Sequence, residues 1–183
     1  KRLTDLVQEI INLSRLQDSD PLQIASENVV LELINEAVDL VKTTSEAKGI
    51  SVSAKDIPEV VVLGDNEQLI MAIHNLLENA INYSPANTTV SITSENQGDI
   101  VEITVTDQGI GIPEGELERI FERFYRVDPA RSRETGGTGL GLSIVKHVAA
   151  NHGGDVRVWS SQNVGSSFAL RLPIFTPNGG SSQ

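Results

Sequence analysis

The sequence predicts an α+β fold, with one mixed, largely antiparallel sheet and helices layered on one face. Three observations lead there. Segments 88–94 and 100–106 alternate in period two, as do 155–160 and 166–172, and each pair reads as a hairpin. Segments 65–82 and 140–151 carry apolar residues at helical spacing instead. Strands and helices do not alternate as regular βαβ units, which argues against a parallel doubly wound sheet.

Taken in order, Leu3, Leu6, Ile10 and Leu13 follow a 3-4-3 spacing, with Val7, Ile11 and Leu16 alongside. This predicts an amphipathic helix whose apolar stripe needs another helix to cover it. Pro21 disfavours helix at the residue before it, which sets a boundary near residue 20. Residues 29–41 open as a short apolar strand and continue as a helix that ends at Gly49. The β-branched runs 50–54 and 60–63 are strands. Residues 65–82 form the clearest helix, with Leu69, Ile70, Ile73, Leu76, Leu77, Ala80 and Ile81 on one side. The first hairpin turns through 95–99. Pro113 opens a short helix, residues 121–136 show no period, and 140–151 is a helix stopped by His152-Gly153-Gly154. The polar Gly/Ser tail from 176 to 183 is expected to lack structure.

Composition narrows the function. The net charge of −11 disfavours nucleic-acid wrapping or an anionic membrane surface. With no cysteine, a disulfide framework and a Cys-based metal site are excluded. No apolar run approaches bilayer length, no signal peptide is visible, and Lys1 stands in mid-pattern, as at a cut end. Six of the fourteen Lys and Arg residues (Arg119, Arg123, Arg126, Arg131, Arg133 and Lys146) fall in one stretch. Two readings stand: a site for one small anion, or a solvated basic segment.

Several local patterns point to chemistry. Asn75, Asn79 and Asn82 form one polar stripe at i, i+4 and i+7 of the strong helix, where exposed faces usually carry Glu, Lys or Gln. Uncharged carboxamides suit phosphate oxygens and help hold Mg²⁺; the other reading is an ordinary exposed face. Asp107-Gln108-Gly109-Ile110-Gly111 follows a strand, placing a carboxylate at its end beside glycines that permit close backbone approach. Alone, it reads as an ordinary turn. The glycine-rich run 136–141 precedes a helix, where it reads either as a loop whose free backbone N–H groups face an anion or as a flexible hinge. It is neither a Walker loop, since no Gly-Lys-Ser/Thr follows, nor a dinucleotide fingerprint, since position 142 is Leu. Phe121-Glu122-Arg123-Phe124-Tyr125-Arg126 puts aromatics and arginines in the aperiodic stretch, as a satellite core, a phosphate grip, or both.

Four of these elements occur in a fixed order: Asn75-Leu76-Leu77-Glu78-Asn79-Ala80, Asp107-Gln108-Gly109-Ile110-Gly111, Phe121-Glu122-Arg123-Phe124 and Gly137-Thr138-Gly139-Leu140-Gly141. In that order and spacing they resemble the N box, first glycine box, F box and second glycine box of the catalytic domain of bacterial sensor histidine kinases, in the GHKL superfamily. The resemblance covers about residues 24–173, and residues 1–20 resemble the end of the second dimerisation helix of that family. It implies the two-layer α/β sandwich (Bergerat-type fold) shared with gyrase, heat-shock chaperone and MutL-type ATPases. The division it implies is 1–20 dimerisation helix, 21–175 catalytic domain and 176–183 flexible tail.

It further implies ATP and Mg²⁺ as ligands. By carry-over, Asp107 binds the adenine amino group, with Gly109, Gly111 and Ile112 beside it. Asn79 ligates the metal, Asn75, Asn82 and Tyr83 line the nucleotide, and Tyr125 and Arg126 belong to the lid. Gly137, Thr138, Gly139, Leu140, Gly141 and Leu142 cradle phosphates. Asn75 and Arg126 are the implied catalytic residues. The implied partners are a response regulator and a second copy of the parent protein, in a cytoplasmic location, with membrane attachment only through other parts of the parent.

Two departures qualify this. Many family members carry Lys or Arg where Asn82 stands, which shifts the expected phosphate-binding charge to lid arginines. The family's phosphoacceptor motif, His then an acidic residue then Thr-Pro or Asn-Pro, is absent: Asn75 follows His74, Val148 follows His147 and Gly153 follows His152. The acceptor is therefore expected outside this sequence. Hydrolytic relatives usually carry Glu at the first N-box position, and Asn75 cannot act as a general base. This favours transfer to histidine over a hydrolytic ATPase. The complete glycine set argues against a catalytically lapsed nucleotide-binding module.

Overall fold

A computed structural model describes residues 25–127 and 137–177, together with residues 3, 4, 7, 8, 10, 11 and 14. The expected boundary near residue 20, Arg131, Arg133, Gly136 and residues 178–183 of the tail lie outside the described residues. The seven early positions are helical and exposed; Leu3 is 74% and Val7 48% accessible, so the described apolar side chains of this segment are uncovered within the described residues.

The elements are β1 (Ser26–Val29), α1 (Val30–Ala47), β2 (Ser51–Lys55), β3 (Val61–Gly64), α2 (Asn66–Tyr83), β4 (Thr89–Gln97), β5 (Ile100–Thr106), 3₁₀ turns at Glu114–Glu116 and Arg119–Phe121, α3 (Gly141–Asn151), β6 (Asp155–Ser161) and β7 (Gly165–Pro173). Five strands form one sheet in the order β2-β4-β5-β7-β6. β2 runs parallel to β4 and the other pairs are antiparallel. β1 and β3 form a separate antiparallel ribbon. This is the expected α+β sandwich, with α2 packed between α1 and α3. Among the described residues, no helix is long and apolar enough to cross a membrane.

Period two explains the sheet's inner face. Val101, Ile103 and Val105 of β5 are buried while their neighbours are half-exposed, and Val90 and Ile92 of β4 and Phe168, Leu170 and Leu172 of β7 complete the layer. The helices answer with Leu33, Ile34 and Ala37, then Leu69, Ile73, Leu76, Leu77 and Ile81, then Ile144, Val145 and Val148. Burying each large side chain contributes about 1.5–3 kcal/mol.

Some boundaries differ from the expected ones. The first strand ends at Val29, and the apolar run beginning at Val30 is already helix. Buried Asn28 accounts for this: its amide donates to the carbonyls of Ser26 (2.8 Å) and Gly64 (3.0 Å), which fixes the ribbon ahead of the helix. β4 runs on to Gln97, so the hairpin turns only through Gly98 and Asp99, with Gly98 at φ +75°. Glu95, Asn96 and Gln97 pair as strand although they lie beyond the core. Pro113 precedes its 3₁₀ turn rather than opening it.

One junction sets the position of α2. The Asp65 carboxylate caps the helix by accepting from the Gln68 N–H (3.1 Å), and the Asp65 N–H donates to Nε2 of His152 (3.1 Å). Nδ1 of His152 lies 2.7 Å from the Val148 carbonyl, so Nδ1 carries the proton and Nε2 accepts. Gly64 leaves the ring its space, since a Cβ there would sit 2.3 Å from its Cδ2. The structural reading of His152 follows from these contacts.

Candidate functional site

The asparagine stripe of α2 faces the start of α3. A Cβ on Gly141 would lie 3.2 Å from Asn75 Oδ1, so the absence of a side chain at 141 lets α3 approach the stripe. One residue pair on, the Phe124 N–H donates to the Gly139 carbonyl (2.9 Å), and Gly139 stands at φ +80°. A Cβ at Gly137 would be 3.5 Å from Arg126 Nη2. The N box, second glycine box and F box therefore meet in space although 62 residues separate Asn79 from Gly141 (141 − 79). Gly139 and Gly141 sit where larger residues would collide with Phe124 or crowd Asn75.

At the other end of α2 stands the Asp107 turn. The Tyr83 carbonyl would be 2.6 Å from a Cβ on Gly109, so that loop folds directly onto the helix end. Asp107 is buried. Its Oδ1 accepts from the N–H groups of Gly109 (2.8 Å) and Ser166 (3.1 Å), and among the described residues no hydrogen bond engages Oδ2. Burial raises its pKa above the ordinary value, and the two N–H donors oppose this only in part. Gly111, at φ +67°, passes so close to the Ser161 carbonyl that a Cβ would stand 2.0 Å from it. The Ile112 N–H donates to Ser160 Oγ (2.8 Å), while its side chain packs on the core. Ser84, which caps the C-terminal end of α2, has a buried hydroxyl without a hydrogen-bond partner.

Other expected site residues sit differently. Leu140, the N-cap residue of α3, is fully buried, and half-buried Leu142 packs against the core. The Leu140 side chain is enclosed by the core, so its backbone is the part that faces outward. The Leu140 N–H lies 3.3 Å from Thr138 Oγ1. Tyr125 is held within its own loop, its hydroxyl donating to the Glu116 carboxylate and its ring 4.1 Å from the Arg119 guanidinium carbon.

The described members of the basic stretch divide among separate places. Arg119 covers Tyr125, while Arg123 and Lys146 line a separate groove of about 590 Å³ with Glu118, Glu122 and His147. Arg126 alone of the described lid arginines lies beside the glycine loop. The cation that reaches Asn82 comes from elsewhere: Lys48, at the end of α1, donates to Asn82 Oδ1. The expectation that lid arginines compensate for the neutral Asn82 missed this residue.

Sequence reading also passed over Ser166, Gly165 and Ser161. They carry no local signal, because they reach Asp107 and Gly111 only through the pairing of β5, β6 and β7.

A helix of aligned carboxamides, a buried carboxylate and glycine loops on one face of a mixed sheet define a class of nucleotide-binding ATPases. The family model described as "Histidine kinase-, DNA gyrase B-, and HSP90-like ATPase" matches residues 64–176, and the chain belongs to this family. Within it, the chain is similar to sensor histidine kinases. It is 50% identical over 174 residues to the sensor-like histidine kinase SenX3 of Mycolicibacterium smegmatis, covering 95% of this chain and 45% of that protein. It is 34% identical over 176 residues to the sensor histidine kinase WalK of Bacillus subtilis, covering 94% of this chain and 29% of that one. The chain thus spans less than half the length of these relatives. Among solved structures, the mycobacterial sensor histidine kinase MprB superposes with a TM-score of 0.70 at 32% identity, covering 81% of this chain and 97% of that one. Full-length ShkA in complex with AMPPNP superposes at 0.80 with 27% identity, over 96% of this chain and 36% of that one.

Proposed function

We propose that this chain is the ATP-binding catalytic part of a two-component sensor histidine kinase. It transfers the γ-phosphoryl of ATP to a histidine outside this sequence, for relay to a response regulator. In this reading residues 1–20 end the second dimerisation helix, 21–175 form the catalytic domain and 176–183 a tail. The uncovered apolar stripe at Leu3 and Val7 suits pairing with other bundle helices of a homodimeric parent. The parent acts in the cytoplasm and is anchored, if at all, by segments beyond this sequence.

The residues fit an adenine nucleotide. The unengaged Oδ2 of Asp107 accepts from the exocyclic amine, and the orphaned Ser84 hydroxyl is available to the same ligand or its water. Gly109 and Gly111 let the turn pack against the end of α2 and against Ser161, which holds Asp107 in place beside the base. Gly137, Gly139, Gly141 and the α3 N-terminus offer N–H groups to phosphates. Asn79 and the phosphate oxygens hold Mg²⁺; among the described residues no cluster of three or more His, Asp or Glu forms a metal cage. The metal's contribution is neutralisation of phosphate charge. Asn75 and Arg126 orient the terminal phosphate.

The observation that carries transfer over hydrolysis is Asn75 against Gly141. The helix position that faces the glycine loop holds a carboxamide, which cannot take a proton from water. Glu78, the carboxylate nearest to Asn75 along α2, is exposed and about 60° round the helix from it. The test is calorimetric titration with ATP·Mg²⁺, with GTP as control, followed by incubation with γ-labelled ATP. ATP binds, GTP does not, and label appears on an added dimerisation domain but not on this chain. Failure to bind ATP, or stable self-labelling, overturns the reading.

A further inference from the structure

Lys48 is the C-cap residue of α1, and its backbone N–H is tied to the carbonyls of Thr44 and Ser45, both at 3.2 Å. From that anchor its side chain crosses to α2 and donates to Asn82 Oδ1. The ammonium is half-buried, yet among the described residues no carboxylate lies within 4.0 Å of it. Burial lowers its pKa, and the negative charge of Glu78, one turn before Asn82, offsets only part of that effect. A cation taken partly out of water with one neutral acceptor is poorly compensated. An ammonium has three donors, and Asn82 fills one.

Its neighbour locates the unused donors. Asn82 shares a stripe with Asn75, which faces Gly141 and the glycine loop. We propose that Lys48 is a nucleotide-recognition residue, supplying from α1 a positive charge that binds phosphate oxygens at the Asn82 end of the stripe. This rests on the proposed ATP site and adds to it a residue outside all four boxes. The hydrogen bond to Asn82 orients both partners: Lys48 is held over the stripe, and the carboxamide turns its oxygen toward Lys48. The site thus draws its charge from a helix end far from the lid in sequence, so this contact does not depend on the position of the lid loop.

The test compares ligands with and without phosphate. Lys48→Met keeps most of the stem and removes the charge. In the intact chain its ATP affinity falls about tenfold or more, while adenosine, titrated by NMR, binds within about twofold of the parent. Lys48→Arg keeps most of the ATP affinity. In the Lys48→Met background, Asn82→Lys returns charge to the stripe and restores ATP binding. Unchanged ATP affinity in Lys48→Met, or equal loss for ATP and adenosine, overturns the proposal and leaves Lys48 a tie between helices. Parent protein that binds no ATP defeats the nucleotide-site reading itself, a separate result.

Discussion

Asp107 and Ser166 hold each other by two hydrogen bonds. The Asp107 N–H donates to the Ser166 carbonyl (2.8 Å), and the Ser166 N–H donates to Asp107 Oδ1 (3.1 Å). A carboxylate fixed by backbone alone cannot turn away, so its second oxygen keeps one direction.

That arrangement separates binding from stability. Asp107's pKa is raised in the fold, so the folded protein holds this proton more tightly than the unfolded chain does. Ionising it therefore costs stability. The cost develops as pH rises from the unfolded value through the raised folded one. Asp107→Asn keeps an oxygen for both N–H donors and removes the charge. Its Tm at neutral pH is equal to or above the parent's, and the gap closes below the ordinary carboxylate range. Its ATP affinity falls on the order of 10–100-fold, the scale of a lost charged hydrogen bond. Thermal melts across pH and calorimetry read both effects; a clear loss of Tm at neutral pH contradicts the account.

Gly165 belongs to none of the four boxes, yet it supports the same carboxylate. It stands at φ +140°, and a Cβ there would be 2.1 Å from the Asp107 carbonyl oxygen. Gly165→Ala displaces the turn, costs about 1–3 kcal/mol of stability, and lowers ATP affinity about tenfold. Unchanged affinity with normal stability would show that the turn tolerates the collision.

Asn75→Ala should spare the fold, since the residue is half-exposed and its neighbour Gly141 keeps its place. Phosphoryl transfer to an added acceptor domain drops on the order of 100-fold, the scale of one lost positioning group, while ATP affinity stays within about threefold. Equal loss in both would make Asn75 a binding residue only.

His152→Ala tests the junction beneath α2. It leaves the Asp65 N–H without its acceptor and opens a void beside Gly64, costing about 2–4 kcal/mol. Urea unfolding measures it. A change under 1 kcal/mol would mean that water replaces the ring.

The sequence made legible whatever is local or periodic. The α2 face, both hairpins and the glycine loops follow from spacing and from residues with special backbone freedom. Of the β1–β3 ribbon only β3 shows as a short β-branched run; β1 carries three polar residues in four, and its order depends on buried Asn28 reaching Gly64. The placement of Asp107 was legible as a turn, but its two N–H donors were not, since Ser166 lies 59 residues away. Leu140 and Leu142 match a phosphate-loop pattern by position, yet Leu140 is buried in the core and Leu142 packs partly against it. Lys48 gave no signal because a lone lysine at a helix end is ordinary until the neighbouring helix is in place.

The pairing of β5 with β7, from Ile100↔Pro173 to Thr106↔Ser167, also sets a schedule. Asp107 leaves the ribosome well before the residue that fixes its carboxylate. At about 5–20 residues per second, the 59 residues between them take about 3–12 s to synthesise. During that interval the chain has its asparagine helix and first glycine turn, but the proposed adenine site around Asp107 lacks its Ser166 partner. Nucleotide cannot help the nascent chain to fold, and its stabilising effect begins only after the last strand has joined the sheet.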